Sequence, residues 1–190
     1  ADFDTKGYWH NKNGLTELMK SEDSEPNGIP DLIEYVNGLA PYASVCPADD
    51  FFGAGDKDFD GEFCDGSPVA SAFGDGEFQG VQVAVEGSWQ AEVSHFLVDP
   101  VNDGGQCEML TEQLLAFIFN VEFNLGGGGL LVLPDMSTAS AQSLIDDAID
   151  AWIAGDEDDC TDWAALLDGF NNDDSVEYVP DTYCAFNYTD

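Results

Sequence analysis

The strongest constraint on this 190-residue chain is its charge. It carries 39 Asp and Glu against 4 Lys and Arg, a formal net charge of −35 at pH 7. After Lys57 the chain contains no Lys or Arg. Such a surface repels itself, so a compact fold needs cations, supplied either by high salt or by divalent metal held in specific sites. It also repels phosphate backbones, which argues against nucleic acid as a partner.

The stretch 23–34 has the oxygen spacing of a twelve-residue calcium loop. Oxygen-bearing side chains stand at loop positions 1, 3, 5, 9 and 12, and Gly28 stands at position 6, where such a loop turns sharply. The predicted Ca²⁺ ligands, including one backbone carbonyl at position 7, are Asp23, Glu25, Asn27, Ile29, Asp31 and Glu34. The alternative is an acidic turn capped by Asn27 and Gly28, with Asp31 as a helix N-cap.

A second acidic loop follows a similar spacing. Its candidate Ca²⁺ ligands are Asp56, Asp58, Asp60 and Glu62, with Gly61 at the turn position. Position 12 is Ser67, so the bidentate closing Glu of such loops is missing. The alternative here is an acidic surface loop held by a disulfide.

Two resemblances extend this interpretation. The stretch 23–34 resembles the EF-hand loop and, more closely, the Asp/Asn-Gly-Ile-Pro-Asp loops of bacterial thrombospondin type 3-like repeats. The sequence Gly7-Tyr-Trp-His-Asn-Lys-Asn-Gly14 and the later stretch 109–121 (Met-Leu-Thr-Glu-Gln-Leu-Leu-Ala-Phe-Ile-Phe-Asn-Val) resemble secreted or cell-surface proteins of bacteria and archaea. That second resemblance implies a surface location and no established enzymatic role. The acidic segments 21–31 and 49–77 depart from its usual pattern.

The cysteines favour export. None of the five (Cys46, Cys64, Cys107, Cys160 and Cys184) forms a C-x-x-C pair, which favours disulfides over a zinc site. We expect a Cys46–Cys64 bond across the second acidic loop and one bond among the other three. The start at Ala1 without Met leads us to expect an extracellular, mature product whose signal peptide has been removed. No apolar run is long enough to span a bilayer.

The predicted fold class is mainly α with a minor β component (α+β), in a single domain over 1–190. Its expected parts are the N-terminal motif and calcium loop (1–45), an acidic disulfide loop (46–77), a helical core (78–175) and an extended tail (176–190). Apolar periodicity predicts helices at 15–20, 31–39, 90–98, 106 to about 123, 137–154 and 161–168, and a strand at 78–86. A hairpin over 117–133 competes with the second half of the central helix.

The tail is too apolar for a free end, so it adds a strand either to its own domain or to a neighbouring subunit.

We therefore expect an exported, calcium-stabilised structural protein, a self-assembling subunit of a filament, tube or sheath, with further copies of itself as partners. No catalytic motif is present, and no enzymatic activity is expected. The alternatives are a calcium-dependent glycan-binding module, which uses Tyr8, Trp9, Trp89 and Tyr183 if they are exposed, and a secreted hydrolase with paired carboxylates.

Overall fold

In the computed structural model of the chain, the described residues are 2–11, 13, 14, 17, 32, 35, 36, 38–43, 77, 78, 81, 82, 97, 106–126 and 129–180. The chain divides into two compact units: residues 1–6 with 102–190, here called the helical unit, and residues 7–101, the second unit. The prediction of one domain over 1–190 stays a prediction. The described helices and strands are α1 (Lys6–Trp9), α2 (Ala40–Ala43), β1 (Glu77–Phe78), β2 (Val81–Gln82), α3 (Gln106–Leu125), β3 (Gly129–Val132), β4 (Thr138–Ser140), α4 (Ala141–Ala154), α5 (Glu157–Asn171) and β5 (Tyr178–Pro180).

Helix α3 is the core of the helical unit. Every residue from 110 to 121 is buried, and most of them are apolar. Burying each Leu or Phe side chain contributes about 1.5–3 kcal/mol. The predicted central helix is confirmed, and the competing hairpin over 117–133 is wrong, because α3 continues to Leu125 before β3 begins.

Helices α4 and α5 begin where a side chain caps their free N–H groups. The Ser140 side chain accepts from the Ser143 N–H, so α4 begins at Ala141, later than predicted, because residues 138–140 pair with β3 instead. Asp156 accepts from the N–H groups of Asp158 and Asp159, so α5 begins at Glu157. Helix α5 extends beyond the predicted helix 161–168 at both ends. The first turn that the prediction missed is acidic, and negative charge at this end is favoured by the helix dipole.

Helix α3 packs mainly against α5 and also against α4. The contacts Cys107–Cys160, Gln113–Asp168 and Asn120–Asn171 follow the same order along α3 and α5. The two helices therefore lie side by side and run in the same direction. Helix α4 lies between them in the chain. Its residues Leu144, Ile145 and Ala148 are buried, while its three Asp residues are exposed.

A three-stranded antiparallel sheet with the order β4-β3-β5 completes the helical unit. Leu130 of β3 pairs with Ser140 on one side and with Val179 on the other. The first strand of the tail thus joins its own unit, which confirms that alternative for residues 178–180, and 181–190 lie outside the described residues. The described part of the chain is mainly helical with a small sheet, as predicted.

The second unit has a core of its own. Trp9, Leu32, Val36, Tyr42 and Leu97 are buried, and burial raises the pKa of the Tyr42 hydroxyl well above its ordinary value.

Gly14 explains part of the N-terminal motif. A Cβ at this position would lie 2.5 Å from the Trp9 Cα and 2.5 Å from the Tyr8 carbonyl oxygen. Only glycine allows the backbone to approach Tyr8 and Trp9 this closely.

One local prediction in the second unit is wrong. Phe78 of β1 pairs antiparallel with Val81 of β2, so the residues predicted as one strand over 78–86 begin as two short strands. Pro41 lies in the first turn of α2, where its missing N–H is not needed. The predicted end near Gly38 is confirmed by a turn, in which the Gly38 N–H donates to the Tyr35 carbonyl. The predicted helix 90–98 lies outside the described residues except for Leu97, which is helical.

Among the described residues, no helix has both the length and the apolarity that a bilayer span requires.

Two glycines provide a matched test of this backbone. Gly155 has φ 70° at the end of α4, whereas Gly169 lies within α5, and a Cβ at either position meets nothing within 4 Å. Gly155→Ala should lower the free energy of unfolding by about 1 kcal/mol, because L-residues disfavour the left-handed region. Gly169→Ala should raise it by about 0.5–1 kcal/mol through helix propensity. Urea unfolding of both variants measures the change in the free energy of unfolding. Changes of the same sign in the two variants would contradict the assigned helix ends.

Candidate functional site

The predicted calcium ligands cannot be placed by this structure. All of them lie outside the described residues: Asp23, Glu25, Asn27, Ile29, Asp31, Glu34, Asp56, Asp58, Asp60 and Glu62. Within the described part of the chain, no three His, Cys, Asp or Glu residues are grouped so that they could hold a metal ion. The calcium sites and the Cys46–Cys64 bond stay predictions.

The most elaborate arrangement in the helical unit is the docking of residues 2–6, which we call the N-terminal strap. Phe3 is the apolar anchor of the strap and is only 2% exposed. Its ring lies edge-on to Phe117 of α3, with ring centroids 6.0 Å apart. Phe117 in turn contacts Phe170 of α5 at 5.8 Å. An aromatic side chain buried in this way contributes both burial and edge-to-face attraction.

The strap backbone is held by reciprocal hydrogen bonds. The Asp4 N–H donates to the Asn120 Oδ1 over 2.7 Å, and the Asn120 Nδ2 donates back to the Asp4 carbonyl over 2.7 Å. The Phe3 N–H donates to the Asp173 carbonyl over 3.2 Å. Asn120 therefore pairs with the strap much as a neighbouring strand would, through one donor and one acceptor.

An ion pair fixes the end of the strap. The Lys6 Nζ lies 3.0 Å from the Glu112 Oε2, and the Glu112 side chain is only 5% exposed. Lys6 is also the one Lys or Arg in the sequence of the helical unit. A carboxylate this deeply buried is costly unless it is paired, so the strap supplies the positive charge that the Glu112 site needs.

Below the strap, a network of side-chain amides joins α3 to α5. The Asn120 Nδ2 donates to the Asn171 Oδ1, and the Asn171 Nδ2 donates to both the backbone and side-chain oxygens of Gln113. The Gln113 Nε2 then donates to Asp168. Asn120 and Asn171 are fully buried. Because each buried amide is satisfied by another member, the network is stabilising only when all of its members are in place.

At the other end of the same helix pair lies a disulfide. Cys107 in the first turn of α3 is bonded to Cys160 in the first turn of α5. This confirms the prediction of one bond among Cys107, Cys160 and Cys184. The bond closes a loop with a sequence separation of 53 residues, so it removes a large amount of conformational freedom from the unfolded chain.

The surface around this core is acidic. The carboxylates of α4 and α5 are all exposed, and the sequence offers no Lys or Arg after Lys57 to pair with them. In the loop between β3 and β4, hydrogen bonds from the Ser137 side chain and backbone lower the pKa of the Asp135 carboxyl. The carboxylates of this surface attract cations, and among the residues described here they form no group that would select one of them.

An open groove of about 460 Å³ lies between α5 and the β3–β4 connection. Most of the residues that line it are apolar, including Leu133, Met136 and Phe170. The acidic residues Asp173 and Glu177 also line it. Both carboxylates are exposed to solvent.

A second apolar surface lies on the three-stranded sheet. The cross-strand neighbours Leu130 and Val179 are 43% and 55% exposed on one of its faces. Their exposure offers an apolar contact to another molecule.

The aromatic residues proposed for glycan binding differ in their exposure. Trp9 is fully buried and offers no surface to a glycan, while Tyr8 is partly exposed and stacks edge-on against Trp9. Trp89 and Tyr183 lie outside the described residues.

The sequence patterns did not point to the strap or to the amide network. One signal was available: Gln113 and Asn120 flank six apolar residues of α3, and residues seven positions apart share a helix face. Two buried amides on one face require a polar partner, but nothing in the local pattern identifies Asn171 or the backbone of Asp4 as that partner.

Comparisons with protein-family models, with curated proteins and with solved structures gave no match to this chain.

The amide network is tested by two adjacent asparagines. Asn171→Ala removes a fully buried amide and leaves Asn120 and Gln113 with unsatisfied groups, so it should lower the free energy of unfolding by about 2–3 kcal/mol. Asn172→Ala, at an exposed position with hydrogen bonds to Asp168, should change it by about 0.5 kcal/mol or less. Urea unfolding of both variants measures the difference. Equal effects would contradict the network.

The disulfide is tested by the double variant Cys107→Ser, Cys160→Ser. A loop of this length predicts a loss of about 4 kcal/mol in the free energy of unfolding. Peptide mapping without reduction should find Cys107 and Cys160 in one linked peptide pair. A linked peptide pair that joins Cys184 to either of them would show that a different bond forms.

Proposed function

We propose that this chain is an exported structural protein of the cell surface, stabilised by calcium and assembled from many copies of itself. One observation carries the proposal: a disulfide closes the core of a unit whose helices α4 and α5 expose all of their carboxylates, in a chain with 39 Asp and Glu against 4 Lys and Arg. This combination suits a structural protein outside the cell.

The disulfide supports export. Cys160 is fully buried, and its bond to Cys107 joins the two longest helices of the unit. Disulfides of this structural kind persist in oxidising compartments and are rare where thiols are kept reduced. The resemblance of residues 7–14 and 109–121 to cell-surface proteins supports the same location.

The charge supports a requirement for cations. Exposed carboxylates along α4 and α5 repel one another, and repulsion of this kind destabilises a compact state until cations reduce it. The sequence offers ligand-spaced oxygens at 23–34 and 56–62. A calcium affinity of about 10⁻⁴ to 10⁻³ M is sufficient for a site in extracellular fluid. Calcium here is a structural ion and not a signal.

The apolar surface supports assembly. Leu130 and Val179 are neighbours on one face of the sheet and are half exposed, next to the start of the apolar tail. A pair of this kind gains free energy when another copy covers it. The described polar network, in contrast, is directed inward and has a structural role.

Calcium dependence is the direct test. If the metal binds the folded chain alone, Ca²⁺ at about one hundred times its Kd adds about 2.7 kcal/mol. For a chain of this size, that raises the melting temperature by about 5–10 °C. Differential scanning calorimetry with Ca²⁺, and with excess chelator at the same ionic strength, measures the shift. Negative-stain electron microscopy of the same samples should show assemblies only when calcium is present.

A charge-matched pair of variants separates site binding from general screening. Asp23→Asn with Glu34→Gln removes two charges from the predicted loop, and Asp147→Asn with Asp150→Asn removes two from the exposed face of α4. The calcium-induced shift should be clearly reduced in the first variant, which keeps only the predicted loop 56–62, and fully retained in the second. Melting and assembly that are unchanged by chelation in the unmodified protein would contradict the proposal.

A further inference from the structure

The docking of the N-terminal strap has the features of a peptide-recognition site. Within five residues, the strap presents a buried aromatic anchor at Phe3, a two-way backbone pairing at Asp4 and a charged end group at Lys6. These contacts are made to side chains and carbonyls of the segment 112–173. The receptor is therefore a surface of the helical unit that a short peptide of matching sequence can fill.

We propose that this receptor also accepts the strap of a second copy of the chain, and that exchange of straps joins subunits. The inference rests on the proposed function of self-assembly and gives it a contact. The partner is a segment with an aromatic residue three positions before a Lys, which is the spacing of Phe3 and Lys6 in this chain.

The receptor cannot distinguish its own strap from that of a neighbour, because the contacts are the same in both cases. Exchange of identical elements is for this reason a low-cost route to oligomers. What differs is the connection. All of residues 7–101, the whole second unit, stand in the chain between the strap and the rest of the helical unit. An intramolecular contact corresponds to a finite effective concentration, so subunits at a higher local concentration compete for the same receptor.

Charge complementarity favours this contact over others between two copies. Two chains of net charge −35 repel each other over most of their surfaces. The strap is an exception, because Lys6 brings a positive charge to the buried Glu112 carboxylate. A receptor without a strap loses this ion pair, which is made to a carboxylate that is only 5% exposed, so binding of a strap from another copy restores a buried charge interaction.

Exchange in one direction produces a chain of subunits. A copy that gives its strap to a neighbour leaves its own receptor open for the strap of a third copy. Such a head-to-tail contact continues into a filament unless the rotation between copies closes a ring. The exchange thus supplies the repeating contact that the proposed structural function requires.

The test places a photoreactive side chain in the strap of the full-length protein. The variant Phe3→p-benzoylphenylalanine is prepared both with ¹⁵N and without it, and equal amounts are mixed, assembled with Ca²⁺ and irradiated. Mass spectrometry of the digest then identifies cross-links from position 3 to the segments that contain Phe117 or Phe170. Cross-linked peptides that join a heavy strap to a light receptor show exchange and are the expected result.

Two controls complete the design. The same photoreactive residue at Ile153, an exposed position of α4, reports incidental contacts and should give no cross-link to those segments. If the larger p-benzoylphenylalanine ring does not fit at position 3, the same photoreactive residue is placed at the exposed position of Asp2 instead. In addition, an excess of a synthetic peptide of residues 1–7 should reduce the amount of assembled protein, while the peptide with Phe3→Ala should not.

The outcomes separate the two proposals. Filaments with receptor cross-links only within single chains would overturn strap exchange and leave the proposed function standing. Mixed heavy–light cross-links without filaments would support exchange and count against the filament. Cross-links within single chains and no assembly would overturn both.

Discussion

The helical unit depends on the pairing of two buried asparagines, Asn120 of α3 and Asn171 of α5. An amide buried without a partner costs more than its hydrogen bond returns, so these side chains stabilise the fold only when α3, α5 and the strap are all in position. The Cys107–Cys160 bond holds the other end of the same helix pair. Apolar packing alone allows helices to slide or rotate against each other. The network and the disulfide together select one arrangement.

The shortage of basic residues changes how the helices end. Lys and Arg commonly stabilise the last turn of a helix, but α3, α4 and α5 have none there. Helix α4 ends instead on Gly155 in the left-handed conformation, and its N–H donates to the Ala151 carbonyl. At the end of α5, the Asn172 side chain donates to the Asp168 carbonyl. Backbone geometry and amides thus take the place of cations at these ends.

The sequence was informative where structure follows from local pattern. Continuous apolar residues predicted α3, period 3.6 predicted the buried face of α4, and the apolar tail predicted a strand. It was less informative at helix ends, where caps at Ser140 and Asp156 compete with other local choices. The strap and the amide network could not be predicted, because each joins residues far apart in the chain, such as Asp4 and Asn120. The predicted calcium ligands lie outside the described residues and remain untested.

If copies assemble by the proposed exchange of straps, the strap and the charge together suggest how that assembly is controlled. Closed and exchanged subunits make the same strap contacts, so those contacts do not decide between the two forms. The remaining terms are the chain connection, which favours the closed form, and the repulsion between copies, which favours it most at low salt. Cations reduce that repulsion, and any calcium bound in the loops removes part of the net charge. Calcium would therefore act twice, first by stabilising the folded subunit and then by allowing copies to approach closely enough for the strap of one to reach the receptor of the next.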